Sequence, residues 1–395
     1  MLPLVLVVLA APAPSSAPAR PSLPSRAAVF VVGADREKAA AADQLEAKLT
    51  RALDDAKVEL TDLESLFPLP AVDDTGAKAF AEAKKGFDDL DYEPALANAH
   101  KALEAFTAHP ESATAAELAD VHFFIGAVSM QLSGKAAAKK AQEFFARALL
   151  YNPDLQLNAE LYGNEAKKAF EKAKQEVSGR GMGPLTITST PAGAQVLLRD
   201  KSLGLTPLAE PPSVLAGRHL VKLSRPGFAP FGAFADVSSG GATVEATLSA
   251  APGYAEAREV ATTLLTNGVG SGKVPPTARK LGEVMKARFL VVAVKRGDDS
   301  PLEVWDVETG NRLGDVTLSD DASLATAATR VKDFVDHPSP LAPVAATVEQ
   351  GGGDPVYKKW WFWTAVGVVV VGSATAVGVA AASSKPGYNV VLGTP

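Results

Sequence analysis

Near its carboxyl end the chain carries 24 consecutive residues without a charge, residues 360–383 (WWFWTAVGVVVVGSATAVGVAAAS). A helix rises about 1.5 Å per residue, so this run would extend roughly 36 Å and cross the hydrocarbon layer of a membrane. Rings and long cationic side chains are stable at the membrane–water interface, and five such residues lie at its amino-terminal end: Lys358, Lys359, Trp360, Trp361 and Trp363. The run predicts a single transmembrane helix with a short tail at 384–395. A buried core helix is the less favoured interpretation.

Residues 1–24 have the pattern of a signal peptide. An apolar run at 2–11 (LPLVLVVLAA) is too short to span a bilayer and leads into a stretch of small residues and Pro, as before a cleavage site. No Lys or Arg precedes the run, and a disordered apolar tail is the alternative.

The two ends of the chain differ in the membrane orientation that they predict. A signal peptide would place the body outside the cytoplasm, in the periplasm of a Gram-negative-type cell. Lys358 and Lys359 outnumber Lys385, which mildly favours the reverse under the positive-inside rule. Because a translocated signal peptide normally sets the orientation, we expect an extracytoplasmic body. Small residues four apart within the span leave its self-association open.

Composition excludes several classes of function. The 39 Lys and Arg against 45 Asp and Glu give a net charge of −6, which argues against a nucleic-acid partner. The absence of Cys excludes disulfides, thiolate nucleophiles and iron–sulfur clusters. The five His are scattered along the chain, without the spacing of a metal site. We therefore predict no cofactor, no metal and no catalytic residues.

Residues 76–177 are rich in Ala and carry the apolar spacing of helices. Breaks at Pro, Gly and Asp residues divide them into five predicted helices: 76–87, 92–107, 113–132, 135–150 and 159–177.

Part of this helical region resembles a tetratricopeptide repeat. The sequence AQEFFARALLYNP at 141–153 has small residues, a Phe and a closing Pro at the spacing of the second repeat helix, and a small residue stands in the helix before it. These packing residues are Gly126, Ala141, Phe145, Ala148 and Pro153. A fainter copy begins at Ala95, 46 residues earlier, whereas tandem repeats would be about 34 apart. The resemblance implies two divergent hairpins and a concave surface for peptides or partner proteins, and a generic helical bundle is the alternative.

Residues 184–249 change to a period of two with frequent turn residues, which predicts a small all-β sandwich. Three stretches resemble the PEGA domain: STPAGAQVLLRD at 189–200, LGLTPL at 203–208 and LAGRHLVKLSRPGF at 215–228. The family commonly has Pro-Glu-Gly-Ala in the first stretch, where this chain has Ala192 in place of the Glu. The predicted turn residues are Pro191, Gly193, Ala194, Gly204, Thr206, Pro207, Gly217 and Gly227. We expect these residues to shape turns and to have no catalytic role. The resemblance implies a cell-surface or envelope protein.

Two further segments have an α/β pattern. Residues 26–68 predict a strand, a helix and a second strand at 58–63, and residues 253–336 predict helices, a buried strand, a hairpin and a final helix. Together they resemble the two halves of the nucleotide-free α/β domain of TolB and CsgG-like envelope proteins. The resemblance implies one domain interrupted by the other modules, and two separate small units are the alternative. A Pro- and Gly-rich linker follows at 337–356.

The sequence GVGSGK at 268–273 does not form a phosphate-binding loop, because Asn267 and Val274 stand where Gly and Ser or Thr are required. The sequence therefore predicts a multidomain α+β protein without enzymatic activity. We expect a membrane-anchored envelope protein whose PEGA-like and repeat-like modules bind a partner protein or a cell-wall or surface polymer. The alternatives are an envelope secretion or assembly factor acting through the α/β domain and, least favoured, an enzyme with an unrecognised carboxylate site.

Overall fold

A computed structural model of the protein describes residues 22–341. The predicted span at 360–383 with its interface residues, the tail at 384–395, most of the linker at 337–356 and nearly all of 1–24 lie outside the described residues. Within residues 22–341, no helix has the length and apolar character needed to cross a membrane.

The described chain passes through four segments. The first contains β1 (Ala27–Gly33), α1 (Ala39–Asp55) and α2 (Leu63–Leu66). The second contains α3 (Thr75–Asp88), α4 (Tyr92–Ala108), α5 (Ala115–Ser133), α6 (Ala138–Tyr151), α7 (Ala159–Tyr162) and α8 (Asn164–Ser178). The third contains β2 (Met182–Thr190), β3 (Gln195–Leu198), β4 (Lys201–Leu205), β5 (Ser213–Leu215), β6 (Gly217–Ser224), β7 (Phe231–Val237) and β8 (Ala242–Thr247). The fourth contains α9 (Tyr254–Gly268), α10 (Ala278–Met285), β9 (Phe289–Lys295), β10 (Ser300–Asp306), β11 (Asn311–Leu318) and α11 (Asp321–Asp336).

The first and fourth segments share one sheet, of order β1-β9-β10-β11, and we call them together the α/β domain. β1 pairs with β9 in parallel, although the helical and all-β segments lie between them in the chain. Helices α1 and α11 pack on one face, where Leu49 and Val331 are fully buried. Helices α9 and α10 pack on the other, where Leu265 and Leu281 are buried. Six of the seven β9 residues are buried because helices cover both faces.

Two predicted elements are wrong. The predicted strand at 58–63 makes only a single bridge, between Leu60 and Ala27. The Asp62 carboxylate accepts hydrogen bonds from the first amides of α2, so the chain turns into a helix at that point. The predicted helix at 159–177 is divided into α7 and α8 by Gly163, whose φ of +84° is incompatible with a continuous helix.

The third segment forms two packed sheets, of orders β5-β2-β8 and β4-β3-β6-β7, and we call it the β-sandwich. Every second residue of β2 is buried between them, Gly183, Leu185 and Ile187. The α+β class and the predicted small sandwich are therefore both present.

The β-sandwich packs directly on the second segment, which we call the helical module. Leu220 of β6 belongs to the hydrophobic core of the helical module. The Lys222 ammonium donates to the carbonyl of Ala113 at 2.7 Å. The Asp200 carboxylate accepts hydrogen bonds from the first two amides of α5, both at 3.1 Å. These contacts fix the orientation of the two walls of the cleft described below.

Candidate functional site

Of the predicted turn residues of the β-sandwich, Gly204 lies within β4 and Gly217 begins β6, whereas the other six lie between strands. The four glycines have positive φ, from +79° to +147°, a region that other residues rarely adopt: Gly193, Gly204, Gly217 and Gly227. The peptide bonds before Pro191 and Pro207 are cis. Thr206 is fully buried, and its hydroxyl accepts a hydrogen bond from the Ala194 amide at 3.0 Å.

Three of these glycines also permit close contact with a neighbouring module. A Cβ atom on Gly193 would lie 2.7 Å from the carbonyl oxygen of Asp43 in α1. One on Gly217 would lie 2.5 Å from Leu150 in α6, and one on Gly227 would lie 2.4 Å from the ring of Tyr254 in α9. The sequence predicted turns at these positions but gave no signal for the contacts.

The comparison with protein families matches residues 182–260 to the PEGA domain. The β-sandwich is thus a PEGA domain, a module associated with cell surfaces and envelopes, as its three motifs predicted. No curated protein and no solved structure matches the chain. The resemblances to tetratricopeptide repeats and to the TolB and CsgG-like domain therefore remain predictions.

The predicted repeat-packing residues meet between α5 and α6. A Cβ atom on Gly126 would lie 2.9 Å from the Phe145 ring and 3.2 Å from the Ala141 carbonyl oxygen. Ala141, Phe145 and Ala148 are fully buried, and Pro153 follows the end of α6. These residues are therefore core, and the exposed features of the helical module lie elsewhere.

A cleft of about 430 Å³ lies between the helical module and the β-sandwich, and we call it the charged cleft. Its lining residues come from α4, α5, α6, α8 and Arg180 just after α8 on one side, and from β6 and β7 on the other. They are Leu103, Thr107, His122, Glu143, Ala146, Arg147, Leu150, Tyr151, Glu176, Arg180, Arg218, Phe234 and Asp236.

Two exposed guanidinium groups flank the charged cleft, one from each wall. The Arg147 guanidinium lies 5.6 Å from the ring centre of Phe144, and that of Arg218 lies 4.5 Å from the ring centre of Phe234. Neither forms an ion pair with any residue of the described chain, whereas Arg180 pairs with Glu176 at 2.8 Å. Stacking on a ring fixes the plane of a guanidinium and leaves its N–H groups free for an anionic group.

Two stacked aromatic rings form the floor of the charged cleft. The rings of His122 and Tyr151 lie 5.8 Å apart and are nearly parallel, at 5°. His122 is 5% exposed, and its Nδ1 has no hydrogen-bond partner in residues 22–341. Burial, together with the nearby Arg147 and Arg218 guanidiniums, lowers the pKa of His122 to about 3. Burial raises the pKa of Tyr151 to about 12. Both groups are therefore neutral at physiological pH.

The charged cleft has the chemistry of a binding site. It presents free guanidiniums, rim carboxylates from Glu143 and Asp236, and a neutral aromatic floor. Sequence reasoning placed His122 among the scattered histidines and did not select Arg147 or Arg218. No local pattern could have selected them, because two modules far apart in the chain contribute them.

The segment at 268–273, which the sequence analysis rejected as a phosphate-binding loop, contacts a carboxylate of the protein itself. The Gly270 amide donates to the Glu303 carboxylate at 2.9 Å, and the Trp305 indole donates to the same carboxylate at 2.7 Å. The Gly270 amide is thus already paired, and the negative charge of the Glu303 carboxylate disfavours a phosphate at this position. Among the described residues, no three His, Asp or Glu side chains are grouped as metal ligands.

Proposed function

We propose that this protein is a non-enzymatic, membrane-anchored envelope protein that captures a partner protein or an envelope polymer at the charged cleft. The proposal depends on one observation. The guanidiniums of Arg147 and Arg218 lie on opposite walls of a preformed cavity, and neither forms an ion pair within the described chain. The PEGA match of one wall supports an envelope location.

The size and charge of the cleft favour insertion of a single group. A volume of about 430 Å³ suits a side chain, a chain terminus or one or two sugar residues, not a folded domain. Two guanidiniums suit a carboxylate or phosphate on that group, because each can donate two parallel hydrogen bonds. The bulk of the partner would then lie against the exposed rim.

A cross-linking experiment tests this function. In one variant a photoreactive residue replaces Thr107, which is exposed at the cleft. In a second variant it replaces Thr329, on the exposed face of α11. Irradiation of whole cells should give a discrete cross-linked species from position 107 that disappears when Arg147→Gln and Arg218→Gln are added. Arg330→Gln, an exposed residue on α11, is the matched control. Absence of any species from position 107 would reject the function.

Point substitutions are required here, because Leu220 of the β-sandwich belongs to the helical core and deletion of residues 76–177 would expose it.

The single sheet of the α/β domain supports the alternative of a secretion or assembly factor acting through that domain. A species cross-linked from position 329 but not from position 107 would favour that alternative.

The proposed location rests on residues 1–24 and 360–383. Protease treatment of intact spheroplasts should degrade the body and spare the last dozen residues if the body is extracytoplasmic. The opposite pattern would place the body in the cytosol.

A further inference from the structure

We infer that the outer edge of β8 is a second binding site, separate from the charged cleft, which takes an extended basic peptide of a partner protein as an added strand. Addition of a strand to an open sheet edge is a recurring mode of peptide recognition. The inference depends on the backbone of β8 and is independent of the proposed function.

The pairing of β8 with β2 leaves three residues facing outward. β8 is the last strand of its sheet and pairs in parallel with β2 alone. The Leu248 amide donates to the Thr190 carbonyl at 2.8 Å. Because backbone groups alternate sides along a strand, the even-numbered residues of β8 bond to β2 and the odd-numbered residues point away. Thr243, Glu245 and Thr247 therefore present their N–H and C=O groups outward.

No backbone group of the described chain pairs with these outward groups. Within residues 22–341 the backbones of Thr243, Glu245 and Thr247 receive no hydrogen bond on that side. They span about 13 Å, the length of a peptide of about five residues. Such an open edge is a template for pairing.

The open edge lines a groove of about 790 Å³, which we call the β8 groove. Strands β7 and β8 meet at both ends and separate between them. The Ala229 amide donates to the Ser249 carbonyl at 2.8 Å at one end, and the Gly241 amide donates to the Ser238 carbonyl at 3.0 Å at the other. The β8 groove lies between these contacts, beside β8.

The charge of the β8 groove favours a basic peptide. Its lining includes the carboxylates of Asp73, Glu111 and Glu245 and contains neither Lys nor Arg. His109 lies 3.7 Å from Asp73 and 3.2 Å from Glu111. A peptide with Lys or Arg at alternate positions would place its charges toward these carboxylates while its backbone bonds to β8.

Charge also disfavours two occupants, a second β8 edge and the segment at 342–356. Two β8 edges paired about a two-fold axis through Glu245 would place like charges opposite each other. The chain that directly follows the described residues, 342–356, contains Glu349 and Asp354 but no basic residue. A partner peptide is therefore the occupant that fits.

Proline substitutions test the edge directly. Glu245→Pro removes an outward N–H without breaking the β2 ladder, because Pro is tolerated on an edge strand where its amide faces outward. Val244→Pro removes an amide that bonds to β2 and should lower the midpoint of thermal unfolding sharply. Equal destabilisation by the two substitutions would overturn the assignment of the outward residues. Glu245→Gln keeps the N–H and removes only the charge.

The probe is a fluorescent heptapeptide selected from a random displayed library against the full chain in detergent. We expect selected peptides to carry Lys or Arg, to bind at least tenfold more weakly to Glu245→Pro, and to bind several-fold more weakly to Glu245→Gln. The cleft variants Arg147→Gln and Arg218→Gln should leave this binding unchanged, which separates it from the proposed function. Failure to select any peptide sensitive to Glu245→Pro would overturn the inference.

Hydrogen exchange on the full chain completes the test. The amides of Thr243, Glu245 and Thr247 should exchange fast in the free chain and at least tenfold more slowly with peptide bound. Those of Val244 and Ala246 should be protected in both states. Slow exchange of the outward amides in the free chain would mean that another segment or a second copy already covers the edge, and would overturn the inference.

Discussion

Glu46 and Arg225 form a 2.8 Å ion pair although they come from different modules, and their side chains are only 7% and 4% exposed. Arg258 of α9 donates to the same carboxylate, and the Val31 amide of β1 donates to it at 2.9 Å. Burial alone would raise the pKa of Glu46, but the guanidiniums of Arg258 and Arg225 outweigh it and hold the pKa below its ordinary value. One ionised carboxylate thus joins the first strand, the β-sandwich and α9.

Glu46→Ala should destabilise the fold by about 3–5 kcal/mol, because it leaves the buried guanidinium of Arg225 and the half-buried one of Arg258 without a carboxylate that both contact. The free energy of unfolding, measured by denaturant titration, checks the value. The matched control is Lys48→Ala on the same helix, which breaks a pair with Asp321, a residue whose side chain is 73% exposed. Solvent screens that pair, so its loss should cost less than about 1 kcal/mol. Equal losses from the two substitutions would mean that the buried cluster adds nothing to stability.

Gly193→Ala should destabilise the contact between the β-sandwich and α1. Gly193 has a φ of +80°, and an added Cβ would lie 2.7 Å from the Asp43 carbonyl oxygen and 2.8 Å from the Ala47 Cβ. Gly163→Ala provides the control, because Gly163 has a φ of +84° and no atom within 4 Å of the added Cβ. Both variants bear the cost of a backbone conformation with positive φ, about 1–3 kcal/mol. Only Gly193→Ala adds overpacking, which should cost about 1–3 kcal/mol more.

Denaturant titration of both glycine variants measures this difference. A Gly163→Ala variant as unstable as Gly193→Ala would show that backbone conformation alone, without the helix contact, explains the need for Gly at 193.

Periodicity and turn chemistry predicted most elements of the fold. The run at 289–295 predicted a buried strand, and β9 has those bounds with six buried residues. The alternation along 184–190 predicted the inward residues Leu185 and Ile187. The predicted strand at 58–63 is reduced to one bridge at Leu60, and the Asp62 cap begins a helix directly after it. Capping competes with pattern over such short segments.

The contacts between modules could not be predicted from one sequence. Gly193, Gly217 and Gly227 have the local signature of turns, and the closeness of α1, α6 and α9 follows only from the assembled fold. The same holds for the charged cleft, because Arg147 and Arg218 become neighbours only when β6 packs on α6. Turn residues can be recognised because the local backbone geometry requires them. The residues of the charged cleft cannot, because only the packing of distant modules brings them together.

The pH dependence of stability should be governed in part by His122 on the cleft floor. Its ring is packed by Tyr151 and Phe144 from α6, and it faces the guanidiniums of Arg147 and Arg218 and the His100 imidazole. Burial, reinforced by these cationic groups, lowers its pKa from 6.5 to about 3. The unfolded chain therefore takes up a proton as the pH falls below about 6.5, while the folded chain does not.

The free energy of unfolding therefore receives no penalty from His122 above about pH 6.5. It falls progressively from there toward pH 3, by about 2 kcal/mol at pH 5. Denaturant unfolding at pH 7.5 and pH 5.0 measures the loss. In His122→Phe, which keeps an aromatic ring against Tyr151, the loss should be smaller by that amount, because carboxylates and His100 titrate alike in both chains. An equal loss in the two proteins would mean that His122 is protonated in the folded state, and the neutral floor assigned to the charged cleft would be wrong.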